Sequence, residues 1–599
     1  MAAGDNQDLR GPSAVDHVAE EISKLGPEHP PTAEASTNVS MVRSYRKPVV
    51  SAVAPLGPGM PETTRPSTEL DRKEAMHEER ALLLDNNITP PNVGNAYQQG
   101  DIDSLPDEEA PVQSHDLPTE GAPLLTPSSG GKSSQQELHQ KWEDAVLEGR
   151  ILTTWQLETK TLSKSSAPLV LAFFLEYSLT VASIFTVGHI GKVELGAVAL
   201  ASMTANITGF GIYNGLATAL DTLCPQAWGS GRKKLVGLQT QRMVFFLWTI
   251  TIPIGVVWMC ADLILMRIVP DRDVAVLAGR YLKILILGAP GYSFFESTKR
   301  YLQAQGLFSA PFYILLVCAP LNAFMHWLFV WKFNWGFNGA PIAVVITDIL
   351  LATSTLAYIV FRVGLECWPG FSKRAFQNWR PMIQLAIPGF LMVEAEIAAF
   401  ELLSLFSSFL GTSYLAAESV LFTLGALTFQ TPFSVSVSAS NRIASLIGAS
   451  LPDAAKTSAR VTGVMAVIVG VTNAMLMISL RDILPSLFTN DAEVITLIAQ
   501  LIPVMAAFQL FDAVACCCNG ILRGLGRQKV GGYVQVTAYY AVAIPISLST
   551  AFGLDWRLYG LWAGVSVALF LVSCVEIIFL YRTDWEKSVE DAKSRNENG

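Results

Sequence analysis

The sequence predicts an all-α membrane protein: twelve transmembrane helices in two pseudo-symmetric six-helix lobes, preceded by a disordered tail. Three observations carry this. Of 599 residues, 51% are hydrophobic and only 16% are charged, against about 25% charged in soluble globular chains. Beyond residue 162 the chain divides into a dozen apolar runs of roughly 20 residues, the length that crosses about 30 Å of hydrocarbon. The body also repeats itself at a shift of 220 residues, as from Pro168 to Pro388.

Residues 1–150 hold 25 acidic and 12 basic side chains, a net of −13, which leaves 26 acidic and 30 basic, a net of +4, for the remainder. An acidic tail on a sparsely charged body excludes nucleic acid as a partner, since that needs basic patches. Residues 1–135 are rich in Pro, Ser, Thr, Asn and acids. Such a segment cannot bury enough apolar surface to offset its ordering entropy, so it reads as a disordered, acidic, cytosolic tail. Within it, Glu78 and Glu79 precede Leu82, Leu83 and Leu84, and Glu120 precedes Leu124 and Leu125. Both stretches resemble acidic dileucine sorting signals read by clathrin adaptors, which makes the sorting machinery a candidate partner and favours the vacuolar over the plasma membrane. No signal peptide is visible, so insertion is expected to use an internal span.

Residues 136–162 show a helical period in Trp142, Val146, Ile151, Leu152 and Trp155, and predict an amphipathic helix at headgroup level. Spans are then predicted at 166–188, 196–223, 240–264, 276–298, 309–331 and 339–362, forming an N-lobe over 163–375. A second set at 382–407, 414–440, 460–480, 496–520, 529–552 and 558–581 forms a C-lobe over 376–583. Residues 584–599 form a cytosolic C-terminal tail. Alternate loops are rich in Lys and Arg, including Arg232, Lys233, Lys234, Lys299, Arg300, Arg442 and Arg523. By the positive-inside rule that set faces the cytosol, and with it both termini.

The repeat holds register at Asp271 with Asp491, Gly306 with Gly526 and, one residue later, Trp335 with Trp556 and Gly339 with Gly560. Six spans per repeat leave both halves in one orientation, the plan of many secondary transporters, with substrate near the midplane between them. Glu176 pairs with Glu396 in this register. Each lies eight residues beyond its repeat's proline, about 12 Å along a helix. An ionisable side chain at that depth is costly and marks a functional site.

The seventh span carries Glu394, Glu396 and Glu401 within eight residues. Glu396 and Glu401 point about 140° apart on an ideal helix, so one narrow cavity cannot take all three without a kink. The tenth span carries Asp512 with Gln509 and Asn519, and the second carries Asn206 at mid-depth. Asp221, Glu296, Asp348, Glu418 and Glu576 lie nearer span ends and read as snorkelling or capping groups. The eight cysteines, Cys516, Cys517 and Cys518 among them, read as small packing residues. No Walker, HExxH or GxSxG sequence is present, which points away from an ATP-driven pump or a hydrolase. No catalytic residue, metal site or cofactor is expected; an ion gradient supplies the energy.

The stretches Gly188–Leu195, Ala219–Gly229, Phe511–Ala515 and Asn519–Gly524, with Gln528, Lys529, Tyr539 and Tyr540, resemble the multidrug and toxic compound extrusion (MATE) family. The resemblance covers about residues 160–585 and is to the eukaryotic branch; the long acidic tail resembles fungal members. It implies a MATE-like monomeric antiporter that exports or sequesters organic, often cationic, compounds and xenobiotics. The implied proton- or cation-coupling residues are Glu396, Glu401 and Asp512, with Glu176 taking the acidic role in the first span. The cavity residues are Asn206, Glu394, Gln509, Asn519, Tyr539 and Tyr540. Departures are Ile397 and Ala398 in place of an aromatic pair, Phe173 near a usual glutamine and Thr423 at a glutamate of some relatives. Protons are the expected coupling ion. Sodium coupling, a flippase of lipid-linked substrates and, least favoured, a membrane enzyme or receptor are the alternatives.

Overall fold

The computed structural model describes residues 153–597 apart from positions 270 and 490. The tail 1–135, the dileucine stretches and most of the expected surface helix lie outside the described residues. From Trp155 the chain is already in the first span, so residues 155–162 are its opening turns and not a separate surface helix.

The long helices are α1 (Trp155–Gly188), α2 (Lys192–Gly229), α3 (Lys233–Met259), α4 (Arg272–Leu285 and Ala289–Ala304, bent by 59°), α5 (Ser309–Lys332) and α6 (Gly336–Val363), with a short helical stretch at Ala261–Ile268 between α3 and α4. The second half comprises α7 (Arg380–Ser408), then α8 (Thr412–Gly448), α9 (Pro452–Ser479), α10 (Ala492–Leu525), α11 (Gln528–Gly553) and α12 (Arg557–Arg582). A final helix, α13, spans Trp585–Glu597. Ten of these are long and apolar enough to cross a membrane, and the bent α4 makes an eleventh. The twelfth, α7, has 29 residues and carries the three glutamates.

The structure gives the repeat matches physical roles. Asp271 and Asp491 are N-caps: each carboxylate accepts from the amides two and three residues on, opening α4 and α10. Gly306 and Gly526 follow those helices with φ of 76° and 71°, a left-handed conformation suited to glycine. The fifth helix of each half ends in a π turn, Leu328–Lys332 and Ser549–Gly553. The Trp335 and Trp556 amides then donate to Phe329 and Thr550 carbonyls, each at 3.1 Å, and reverse the chain. Each lobe has its own apolar core, one around Tyr213, Met243 and Leu282, the other around Ile498, Met505 and Val565.

Several helices overrun the bilayer. The 37 residues of α8 extend about 55 Å, well beyond about 30 Å of hydrocarbon. Their ends pack on one another instead of ending in loops. There the lobes are tied together. Thr222 Oγ1 donates to the Arg523 carbonyl at 2.5 Å, Gln226 Nε2 to the Gly524 carbonyl at 3.1 Å, and Gln528 Nε2 to Thr222 Oγ1 at 2.9 Å. Helix α13 lies across the same end. Asn596 Nδ2 donates to the Gln226 carbonyl at 3.2 Å, Arg232 to the Asn596 carbonyl at 2.5 Å, and Arg527 pairs with Asp591 at 3.0 Å.

These overruns correct the reading of Lys299, Arg300, Arg442 and Arg523 as loop cations. All four are buried and ion-paired. Asp221, Glu296, Asp348, Glu418 and Glu576 do not snorkel either: all are at most 5% exposed.

Candidate functional site

Two cavities adjoin between the lobes, sharing Asn214, Gln430 and Phe433 in their walls. The larger, about 360 Å³, belongs mainly to the C-lobe. Helix α7 contributes Glu396, α10 contributes Asp512 and Asn519, and α11 contributes Gln535. Its wall is aromatic: Phe400 and Phe508 meet edge-on with ring centroids 5.8 Å apart, and Phe508 and Trp562 at 5.2 Å. The Trp562 indole N–H donates to Glu418 at 2.7 Å, which fixes the ring and satisfies that buried acid. Among the described residues neither Glu396 nor Asp512 forms an ion pair. Arg523 also lines this cavity, but its guanidinium turns toward the N-lobe, 2.9 Å from Ser436 Oγ and 3.7 Å from Asp221.

The smaller cavity, about 270 Å³, belongs mainly to the N-lobe and is lined by Glu176, Asn206, Asp221, Lys299 and Arg300. Here the acids have cations. Lys299 Nζ lies 3.0 Å from Glu176 and 2.6 Å from Glu296. Arg300 pairs with Glu296, reaches Asp221 at 3.2 Å and donates to Asn214 Oδ1 at 2.7 Å. Each buried charge is thus compensated by partners on other turns or helices, the condition under which buried ions are tolerated.

The expected site residues divide accordingly. Glu396, Asp512 and Asn519 come together in the C-lobe cavity, while Glu176 and Asn206 come together in the N-lobe cavity. Glu401 lines neither; it is half-buried on another face of α7. Glu394 lines neither as well. Its Oε2 has no partner and faces α2, where a Cβ on Gly211 would lie 2.7 Å from both that oxygen and the Asn206 carbonyl. Gln509 is fully buried with neither amide atom partnered, outside both linings. Tyr539 is buried beside Phe400, ring centroids 6.5 Å apart, and Tyr540 is 39% exposed; neither lines these two cavities. The tyrosines sit in a π-helical segment, Thr537–Ala543, where 3.6-residue periodicity does not place a face.

The cations Lys299 and Arg300 were not anticipated as site residues. The repeat itself held a signal for one of them. At the 220-residue shift that pairs Glu176 with Glu396, Lys299 falls on Asn519, the amide beside Glu396 in the C-lobe cavity.

Comparisons with known proteins agree with this two-part plan. A family model described as MatE matches residues 168–328 and again 388–548, two segments 220 residues apart. The chain is 42% identical over 455 residues to an uncharacterized transporter of Saccharomyces cerevisiae, a match covering 76% of this chain and 65% of that protein. It is 32% identical over 454 residues to multidrug and toxin extrusion protein 2 of Mus musculus, covering 75% and 78%. Among solved structures, the eukaryotic MATE transporter AtDTX14 superposes with a TM-score of 0.71 at 29% identity, covering 74% of this chain and 99% of that one.

Proposed function

The chain belongs to the MatE family of membrane transporters, and on that premise we propose that it is a secondary active antiporter exchanging protons for organic, often cationic, compounds by alternating access. One observation carries the reading: two membrane-embedded carboxylates, Glu396 and Asp512, share an aromatic cavity with no ion-pair partner among the described residues. An aromatic wall with uncompensated negative charge suits a flat organic cation, held by the rings and by Coulomb attraction. Protonation of the same carboxylates removes that attraction, so proton and substrate compete for one site. Competition at a site that opens to alternate sides is the minimal requirement for exchange.

In the proposed cycle the cation leaves as Glu396 or Asp512 takes up a proton from the acidic side. The lobes rock, the acids release their protons on the other side, and a new substrate enters. The ties from Thr222, Gln226 and Gln528, together with α13, close one end. With both termini cytosolic, as the positive-inside reading has it, that end faces the cytosol. The tail's two dileucine stretches support delivery to the vacuolar membrane through clathrin adaptors. Imaging a tagged chain with Leu82, Leu83, Leu124 and Leu125 changed to alanine checks this: relocation supports it, and unchanged location removes it.

Uptake of a fluorescent organic cation into proteoliposomes, driven by a pH gradient with sodium present or replaced, tests the core of the proposal. Glu396→Gln and Asp512→Asn are each expected to lower gradient-driven uptake at least about tenfold, a loss of about 1.4 kcal/mol of coupling. Full coupled uptake by both variants would overturn the mechanism, and uptake that follows the sodium gradient would assign the coupling to sodium.

A further inference from the structure

A third cavity, of about 430 Å³, shares only Gln303 with the N-lobe cavity and nothing with the C-lobe one, and lies between the first turns of α1, the α4–α5 junction and α8. Its charge is opposite to that of the C-lobe cavity. Lys160, Lys164 and Arg442 line it, and no carboxylate does. Lys160 and Lys164 are four residues apart, hence on one face of α1, and both are exposed. Arg442 and Ser445 are each more than nine-tenths buried, and Arg442 Nη1 and Ser445 Oγ have no hydrogen-bond partner. The rest of the Arg442 guanidinium is committed, with Nη2 at 2.6 Å and Nε at 3.1 Å from Glu158. Ser309 lines the cavity at the N-terminus of the 19-residue helical run that opens α5, an end with no side-chain cap. Free amides at a helix N-terminus favour an anion.

Depth identifies the setting. The 34 residues of α1 extend about 51 Å, roughly 20 Å more than the hydrocarbon core. Lys160 and Lys164 fall within the first ten residues, ahead of the apolar run that opens near residue 166, and aligning that run with the hydrocarbon leaves both lysines at the level of lipid phosphates. Basic pockets between membrane helices at this level accept anionic head groups.

We propose that this cavity binds a phosphate-bearing anion, held by Lys160, Lys164 and Arg442, with an anionic lipid head group as its source. The walls come from both lobes, α1, α4 and α5 on one side and α8 on the other, and the Glu158–Arg442 pair already bridges them. A bound anion therefore braces the lobes in this arrangement. The proposal rests on this cavity's geometry alone and stands or falls separately from proton coupling.

Thermal unfolding of the purified full-length protein tests it. Lipids with an exposed phosphomonoester head group, added in mixed micelles, are expected to raise Tm by several degrees over phosphatidylcholine alone. Lys160→Gln with Lys164→Gln removes at least half of that shift; both side chains are exposed, so the variant folds. A shift produced by inorganic phosphate at millimolar concentration, lost in the same variant, keeps the site and assigns it to a soluble anion. An equal shift in wild type and variant, or none with either probe, overturns the proposal. A photo-crosslinker at Ser165 gives an independent reading. A phosphorylated-lipid adduct supports the assignment, and an adduct to the chain's own acidic residues 1–150 overturns it in favour of an internal occupant.

Discussion

The two lobes repeat one architecture but handle buried charge in opposite ways. In the N-lobe, Glu176 and Glu296 share Lys299, and Glu296 and Asp221 share Arg300. In the C-lobe, the position equivalent to Glu176 is Glu396, and the position equivalent to Lys299 is Asn519. The cation has become a neutral amide. The position equivalent to Tyr292 is Asp512, so a second acid replaces an aromatic ring that in the N-lobe packs on Phe210 at 4.6 Å. At the same shift Glu296, Arg300 and Asp221 fall on Cys516, Gly520 and Asn441, so of the N-lobe cluster only the Glu176 carboxylate persists in the C-lobe, where Asp512 joins it without a cation. Between the two cavities the acid is common to both and the paired cation is what differs. On the proposed function, the C-lobe cavity is the one open to a cation or a proton.

The most severe way to probe this contrast is to strip the N-lobe of its cation. Lys299→Met leaves Glu176 without a cation, while Glu296 keeps Arg300. Removing one member of a fully buried ion pair costs about 3–5 kcal/mol; Glu176 is 23% exposed in its cavity, so the cost here should fall below that range. A fall in Tm and in the yield of monodisperse protein is expected, whereas Glu396→Gln in the C-lobe is expected to leave Tm unchanged or higher. Equal stability effects in the two lobes would break the comparison.

The reverse exchange comes next in size. Asn519→Lys installs in the C-lobe the cation that the N-lobe already has. The new ammonium is expected to pair with Glu396 and occupy the cavity's negative charge. Dye uptake should fall at least about tenfold, or about 1.4 kcal/mol, while the protein stays folded. Retained uptake would mean that the free charge on Glu396 is not what drives exchange.

The sequence showed the frame of this contrast better than its content. Twelve spans, two halves and the 220-residue register were legible because the proline, aspartate, glycine and tryptophan matches sit at caps and turns, where few residues can substitute. Asp271 and Asp491, and Gly306 and Gly526, have clear physical reasons. The pairing of Glu176 with Glu396 was legible for the same reason. Lys299 and Arg300 were not, because cations near the end of an apolar run look the same whether they face water or a buried carboxylate. What decides is the packing around them, with Glu176, Glu296 and Asp221 as partners. The run Ala289–Ala304 is the second arm of the bent α4, and its second half is buried by neighbouring helices throughout. Hydropathy does not register that kind of burial. Glu394, Gln509 and Tyr539 were placed in the substrate cavity by sequence, yet they pack against other helices, since neighbours on a helix diverge by 100° per residue.

A smaller effect concerns the end where the lobes meet. Asn596 is 6% exposed and joins α13, beyond the C-lobe, to the Gln226 carbonyl and Ser230 hydroxyl of the N-lobe, each at 3.2 Å. Asn596→Ala removes both bonds at a cost of about 1 kcal/mol each. Because these bonds exist only while the lobes are closed at this end, the loss should appear as a lower Tm together with a modest rise in exchange rate. A lower Tm with no change in rate would make α13 a brace for one lobe and not a link between two.

The least expected effect is the most discriminating, because it lies within a single helix. Glu396 and Glu401 are five residues apart on α7 and point about 140° from each other. Glu396 lines the acidic cavity, and Glu401 is half-buried outside it. Both are membrane glutamates that sequence alone ranks equally. If uncompensated charge in the cavity drives exchange, Glu401→Gln should lower gradient-driven uptake less than about threefold, under about 0.7 kcal/mol, while Glu396→Gln abolishes most of it. Such a split would tie coupling to position in the cavity and not to acidity in the span. Equal losses from the two variants would place a second coupling group outside the cavity, and the contrast between lobes would then have to be redrawn around α7 as a whole.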